Sequence, residues 1–536
     1  MSTSSSSEKS FLASLRNSLP PVLPQFLSQQ RWFGGKARTI RSVEVSDIVP
    51  FCFDPLRSYF ILVRVNYADG PTETYDIPLV HSSGEIGLSS LRIRPDDLSE
   101  VVLKDALTDE QFLTLLLDAI AKGISLTGAR GEIRAVATRA LPSIWQPLQG
   151  PLTPAAMNAE QSNSSVVFEK RLVLKIFRRV EVGLNPDLEI GSFLTGKAAF
   201  RNVPPLAGSL EYLTEEGTRT SLGMLQGYVA NQGDAWQFTL HALAGYYDKA
   251  LQIESLDAGE VPHLPLVNLC AQAIPELATQ RIGSYLESAT LLGRRTAELH
   301  LALASAQDDP DFAPQPFSQT DHQARVSSAV QLLTINFELL RRLKQGMPDH
   351  VGEEADKVLK REDVARRRFE LSARQKWSAM VTRIHGDYHL GQVLFTGSDF
   401  VIIDFEGEPA RPLEERRKKL SPLQDVAGML RSFHYAAYAP LLQQATAERS
   451  PHDALQALGN WAQYWQKWVS AAFLKAYLEP STNAVFIPKG REELGQLLDL
   501  FLLEKAVYEL GYELNNRPSW VRIPLDGISQ LLQASV

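Results

Sequence analysis

The chain is poor in cysteine. Cys52 and Cys270 are its only two in 536 residues, too few for a disulfide framework, and neither has metal-ligand company nearby. No apolar run is long enough to cross a bilayer. The first residues, Met1–Ser7, are mostly serine, without the apolar segment of an export signal. Neither membrane residence nor export is expected, a cytoplasmic location is, and the serines read as a disordered tip. A basic excess is also missing: 54 Lys and Arg stand against 62 Asp and Glu, a net charge of −8, which argues against a general nucleic-acid binder. A glycine-rich phosphate loop is absent too. The segment Gly191–Ala198 nearly fits one, but Ala198 lacks the hydroxyl that Mg²⁺ would need, and a helix start precedes it where a strand is required. A helix ending near Gly196 explains the segment better. With 44% hydrophobic residues, a chain of this length can bury the cores of two or three domains.

What is present is concentrated at Ile384-His385-Gly386-Asp387-Tyr388-His389-Leu390-Gly391-Gln392 and at Ile402-Ile403-Asp404-Phe405-Glu406. The apolar run Phe400–Ile403 reads as a buried strand presenting Asp404 at its tip. Asp387 sits in a tight polar loop, and Gln392 follows it by five residues. Phosphoryl transfer from ATP needs such parts: a carboxylate to orient and deprotonate a hydroxyl, and an amide oxygen with a second carboxylate to hold Mg²⁺. Taken singly, Asp404 also reads as a cap after a strand. Asp387 with His385 and His389 also reads as a metal cluster, although no third ligand lies nearby and Gly386 argues for a loop.

A kinase site further needs a strand lysine, a helix acid and a segment over the phosphates, all upstream. Val173–Phe177 is strand-like with Lys175 as its one charge. Val166–Phe168 precedes it, and Glu169–Arg171 makes a turn, giving a hairpin. The polar stretch Gln161–Ser165, with Ser164 among its hydroxyls, could offer N–H and O–H groups to phosphate. Asn185-Pro186-Asp187 opens a helix in which Glu189 could reach Lys175. Lys175 reads equally as a solvated edge-strand lysine, and Glu189 as a first-turn acid favoured by the helix dipole. The required order of all five parts weakens those separate readings.

On these residues the chain resembles the aminoglycoside-phosphotransferase branch of the kinase superfamily, and within it the bacterial maltokinases. The resemblance extends to Gln29–Lys36, Glu160–Ser165, Met224–Val229 with Asn231–Asp234, and Lys505–Glu509 with Tyr512-Glu513. Gln392 stands where the wider superfamily usually has asparagine, and Glu406 where protein kinases have glycine; both are usual in this branch. The resemblance implies an α+β, bilobal eukaryotic-protein-kinase-like fold with an N-terminal cap subdomain and a mainly helical C-lobe. It implies ATP and Mg²⁺ as cofactors and maltose as acceptor, giving maltose 1-phosphate for α-glucan synthesis. Glucosamine kinases share most of these motifs, so glucosamine or another small sugar is the alternative acceptor. A nucleotide- or glucan-binding pseudokinase scaffold, partnered with a trehalose–maltose isomerase, is the alternative of another class.

In that frame Asp387 is the catalytic base, Gln392 and Asp404 bind the metal, and Lys175 with Glu189 serves the phosphates. Backbone groups around Gln226–Tyr228 face the adenine, and His389 and Glu406 hold the acceptor or metal-bound water. Sugar recognition falls to the helical lobe. Lys505 and Glu509 are four apart on one helix face, with Tyr508 and Tyr512 on an adjacent stripe able to stack on a pyranose. The plain alternative there is an exposed ion pair on a surface helix.

Three parts are expected: a cap over 1–152, a small nucleotide-binding lobe over 153–234 and a helical lobe over 235–536. The cap should hold strands Ser42–Pro50, Tyr59–Tyr67 and Glu73–Val80, with a hairpin signal at Asp69-Gly70. A helix near Asp109–Ala121 and a proline-rich linker at Gln146–Pro154 follow, and Trp32 and Lys36 read as packing and loop residues. Further strands are expected near Pro204–Tyr212 and Ser221–Val229. Helices are expected at Tyr285–Leu303, as an antiparallel pair over Asn336–Arg374, and at Leu494–Leu514. The basic run Arg416–Lys419 reads as a solvated helix face.

Overall fold

The computed structural model describes residues 6–82, 90–94, 100–157, 163–253, 258–443 and 451–533. Gln161 and Ser162 of the proposed phosphate segment, and the serine tip at 1–5, lie outside them. The chain divides into two units, Met1–Ala230 and Asn231–Val536.

The first unit is built on two antiparallel sheets. One runs in the order Ile40–Phe53, Leu56–Tyr67, Glu73–His81, Val101–Asp105, Ser90–Ile93, with Arg179–Val180 added to Glu73–His81. The second runs Ser125–Thr127, Gly131–Ala137, Leu206–Thr214, Arg219–Gly227, Leu172–Phe177, Asn163–Phe168, Pro154–Met157. Two of its strands therefore come from before residue 152.

Strand alternation explains how the first sheet is used. Along Leu56–Tyr67, Tyr59, Ile61, Val63 and Val65 join the core beneath the N-terminal helices, while Phe60 and Leu62 join a different core with Phe112 and Leu116. A strand buried on both faces needs apolar residues at both parities, and this one has them. The helix Glu110–Lys122 is capped by Asp109, which accepts a hydrogen bond from the Phe112 N–H at 3.0 Å, and is closed by Gly123 at φ 66°. The hairpin turn at Glu169 and Lys170 takes φ 45° and 55°, the paired left-handed conformation that matches strand twist. Gly191–Gly196 lies inside the helix Pro186–Gly196, which disposes of the phosphate-loop reading.

The second unit is mainly helical. Tyr285–Leu303 and Arg491–Asn516 form as the periodicity predicts. The expected pair over 336–374 is instead three helices, Gln319–Leu343, Asp349–Leu359 and Glu362–Ser372. The first starts at Ser318, whose hydroxyl accepts from the Asp321 N–H, and Pro348 separates it from the second. Asn336, read as a boundary, lies mid-helix, and its buried amide donates to Val507 O at 2.7 Å. The basic run is not a solvated face either. Arg416 donates to Arg411 O and Glu406 O, and Lys419 donates to Pro310 O and Ala313 O, so both cations fasten backbone carbonyls. Cys52 and Cys270 are free thiols. Among the described residues no helix is long and apolar enough to cross a membrane.

Candidate active site

In the second unit a short hairpin, Val393–Phe395 with Phe400–Ile402, carries the metal-binding candidates. Gln392 ends a 3₁₀ turn entering the first strand, and Asp404 follows the second. The Ile403 N–H donates to Gln392 O at 3.0 Å, and Gln392 Nε2 donates to Asp404 Oδ2 at 2.9 Å. Asp404 adopts φ 65°, a conformation costly for a non-glycine residue and often found where a side chain must be aimed. The donor set is an amide oxygen and a carboxylate, hard oxygen ligands that suit Mg²⁺.

The Asp387 loop is held from behind by an acid that the sequence reading passed over. Asp425, two residues into the helix Leu423–Gln443, accepts from the His385 N–H at 2.7 Å and the Gly386 N–H at 2.9 Å. It also receives His300 Nε2 at 3.1 Å. Burial alone would raise the Asp425 carboxyl; the His300 hydrogen bond and charge, His385 and the Gly386 N–H outweigh it and hold the group below the usual carboxylate range. His385 is buried. Its Nε2 meets Ile403 O at 2.9 Å, and since a carbonyl only accepts, Nε2 carries the proton and Nδ1 is left to accept from the Asp387 N–H at 3.4 Å. The same ring thus ties the Asp387 loop to the strand end that bears Asp404.

Around Asp387 the structure gathers several of the expected acceptor-site residues. Lys505 Nζ lies 3.7 Å from Asp387 Oδ1, and His389 Nε2 lies 4.0 Å from Oδ2. His389 is oriented by its own Nδ1, which accepts from the Gly391 N–H at 3.0 Å. Lys505 also stands 5.2 Å from the centre of the Tyr508 ring, whose hydroxyl donates to Glu408 at 3.2 Å. Glu408 was not among the expected residues, though it lies in the quoted segment after Asp404. Glu406 is held at its backbone by Arg416.

Glu509 is placed differently from the expectation. It is buried and receives Arg431 Nε at 2.8 Å, so it does not pair with Lys505 on an exposed face. Glu513 is likewise buried, bound by Arg517 at 2.7 Å and Tyr435 at 3.0 Å. Tyr512 is exposed, with the Arg517 guanidinium 5.4 Å from its ring centre.

In the first unit Lys175 is buried in an interior strand of the second sheet, which removes the solvated edge reading. Its ammonium lies 3.0 Å from Asp187 Oδ2, in the first turn of the following helix. Asn185 caps that turn, its side chain accepting from the Asp187 N–H at 2.8 Å. Glu189 is buried one turn position on. The sequence marks Asp187 only as part of a helix start, with Pro186 at the first helical position. Ser164 Oγ accepts from Arg178 Nε at 2.8 Å. The backbone expected to face adenine is partly committed: the Gly227 N–H donates to Pro205 O and the Tyr228 N–H to Arg171 O, both at 2.8 Å. Gln226 itself is paired in the sheet with Val173 and Leu206. Those two N–H groups are therefore unavailable to a base.

These parts are those of a protein-kinase-like fold: an α+β unit with a strand lysine and a mainly helical unit with the Asp387 loop and the hairpin that carries Gln392 and Asp404. Comparison with known proteins agrees. Residues 26–109 match the maltokinase N-terminal cap domain. A glucosamine kinase of Mycolicibacterium smegmatis (strain ATCC 700084 / mc(2)155) is 23% identical over 381 residues, 70% of this chain and 79% of that protein. A solved glucosamine kinase in complex with glucosamine, ADP and inorganic phosphate superposes with a TM-score of 0.57 at 18% identity, covering 88% of this chain and 92% of the other. A solved glucosamine kinase in its crystal form B gives 0.61 at 17% identity, covering 93% of this chain and 96% of the other. Residues 26–109 thus carry a maltokinase-type cap, and the chain has the fold of these kinases.

Proposed function

We propose that the protein is an ATP- and Mg²⁺-dependent sugar kinase that phosphorylates maltose at its anomeric hydroxyl. One observation carries the reading: a single buried acid, Asp425, and a single ring, His385, fix the Asp387 loop and the Gln392–Asp404 pair as one rigid group. Asp387 orients the acceptor hydroxyl and takes its proton. Gln392 and Asp404 would hold Mg²⁺, which when bound neutralises charge on the phosphates. Lys175, braced by Asp187 and the neighbouring Glu189, supplies positive charge to the α- and β-phosphates. Lys505, Tyr508 and Glu408 offer a donor, an aromatic face and an acceptor to the sugar, with His389 and Glu406 beside the reacting hydroxyl. Glu509 acts from behind, through Arg431. The match to a maltokinase cap supports maltose as the acceptor, and glycogen-type α-glucan synthesis as the use of its product.

Glucosamine is the second reading, favoured by the named relatives. Incubation with ATP, Mg²⁺ and a panel of maltose, glucose and glucosamine, followed by ³¹P NMR, separates them. Maltose 1-phosphate is expected. A glucosamine phosphate as the main product would replace the acceptor, and no turnover with any sugar would remove the kinase reading.

A further inference from the structure

Four helices of the second unit close on a cavity of about 220 Å³; of its wall residues only Arg431, the partner of Glu509, is tied to the site described above. Its wall is made by the helices Leu423–Gln443, Pro451–Ser481, Arg491–Asn516 and Arg522–Gln533, and the segment Pro262–Leu266 forms its rim. The polar groups around it fall into two sets. The inner set is bonded within itself. Arg431 donates to Glu509 at 2.8 Å and to His434 Nδ1 at 2.6 Å, and His434 Nε2 donates to Asp526 at 3.0 Å. A side chain at Gly527 would strike the Arg431 guanidinium, so glycine there makes room for it.

The outer set is not satisfied. Lys467 and Asp499 line the cavity, both part-exposed, with no hydrogen bond and no ion pair within 4 Å among the described residues, although each lies in the field of the other. Gln466 Oε1, also on the wall, is buried with no donor. Burial pushes the Lys467 ammonium down and the Asp499 carboxyl up to about 6. Groups desolvated in this way without partners cost stability, and a fold that keeps them at a cavity wall keeps them for something that enters.

The wall also says what enters. One unpaired cation and one unpaired acid sum to no charge, so an anion meets Asp499 and a cation meets Lys467. A neutral ligand rich in hydroxyls satisfies both, and Gln466 Oε1 as well, because each hydroxyl donates and accepts. The volume suits a single sugar ring. An adjoining groove of about 570 Å³ shares the segment Pro262–Leu264 and is walled by Tyr464, Trp468 and Pro275. Trp468 Nε1 is buried there beside the Tyr464 hydroxyl. Aromatic faces beside a polar cup favour a chain of rings over a compact zwitterion. We infer that this cavity and groove form a second carbohydrate site, which takes one end ring of a neutral linear oligosaccharide between Lys467, Asp499 and Gln466.

Binding here is separable from turnover. Calorimetric titration of the full chain without nucleotide, using maltotetraose as probe, is paired with hydrogen exchange of residues 463–467. Protection of that segment is expected in the wild type, with Lys467→Met and Asp499→Leu each weakening the associated binding by about tenfold or more. Each variant takes an opposite charge from the field of the other, so a small fall in melting temperature is expected, and maltose turnover should be unchanged. If either variant fails to fold, Gln466→Leu gives the same readout. Unaltered maltotetraose affinity and protection in the folded variants would overturn the site. Protection by glycine or inorganic phosphate but not by maltotetraose would overturn its carbohydrate character.

Discussion

Asp425 is the residue whose removal should be felt most, although it touches no substrate. Its carboxylate collects two backbone N–H groups of the catalytic loop and one imidazole, all inside the second unit. Hydrogen bonds to a charged acceptor contribute about 1.5–3 kcal/mol each, and losing the shared acceptor strands several buried donors at once. The terms are not additive, so about 3–5 kcal/mol is expected for Asp425→Ala, a melting decrease of roughly 5–15 °C. Asp425→Asn is the sharper test. Its amide oxygen can accept from one loop N–H, while its NH₂ group faces the other. The loop then shifts, and a displacement of about 1 Å at Asp387 is enough to cost roughly 10²-fold in kcat.

Initial-rate kinetics with thermal melts of the same preparations measures both. The expected pattern for Asp425→Asn is a fall in kcat larger than any loss of nucleotide affinity. Because the folded-state carboxyl is held below its ordinary value, its contribution is present above about pH 4 and is lost as pH falls through the depressed value. Asp425→Asn should therefore melt below the wild type at neutral pH, with the gap closing only in acid. Wild-type kcat and melting temperature in Asp425→Asn would refute the bracing role.

Other outcomes follow from the same geometry. Asp387→Asn should lower turnover by on the order of 10²–10⁴ with nucleotide affinity nearly unchanged, measured by kinetics and calorimetry; near-native turnover would remove its role as base. Asp404→Ala should weaken Mg-nucleotide binding more than Lys175→Met does, by calorimetry with a non-hydrolysable ATP analogue, because a direct metal ligand has no substitute whereas a lysine is one of several charges on the phosphates; equal or reversed losses would make Asp404 a structural cap. Asp76 is fully buried in the first unit, neither carboxyl oxygen has a hydrogen-bond partner, and burial raises it to about 8 against the pull of Arg178. The native state then binds the extra proton, so stability should fall as pH rises from about 4 to 8, and Asp76→Asn should flatten that slope in pH-dependent melts; an unchanged slope would count against it.

Much of the fold was legible because strands and helices write their periods locally. Leu56–Tyr67 is apolar at both parities and is buried on both faces; Asp109 and Gly123 bracket a helix with the residues those positions favour. The Asp387 loop and the hairpin leading to Asp404 were legible as local structure for a similar reason, since they are packed into about twenty residues. What was not legible depends on partners far along the chain. Asp425 sits about forty residues from the N–H groups it binds, and as a first-turn acid it carries no mark distinguishing a dipole-favoured residue from the anchor of a loop. The Asp187 contact to Lys175 was hidden by ambiguity between two acids two positions apart. The three helices between 319 and 372 were blurred because Asn336 looks like a boundary until Val507 is there to accept its amide.

The helix Arg491–Asn516 shows where local reading must stop. Residues 505 and 509 are about 40° apart around a helix, so sequence places them on one broad face and invites a single role. The neighbours of that face differ across those 40°. Lys505 looks toward Asp387, while Glu509 looks toward Arg431 on the Leu423–Gln443 helix, the same helix that supplies Asp425. One helix thus carries both the acid that fixes the catalytic loop and the cation that fixes Glu509. Any change that tilts it moves the Asp387 loop and the stripe bearing Lys505 and Tyr508 together, and so acts on the same pair that the 3.7 Å contact of Lys505 with Asp387 joins directly.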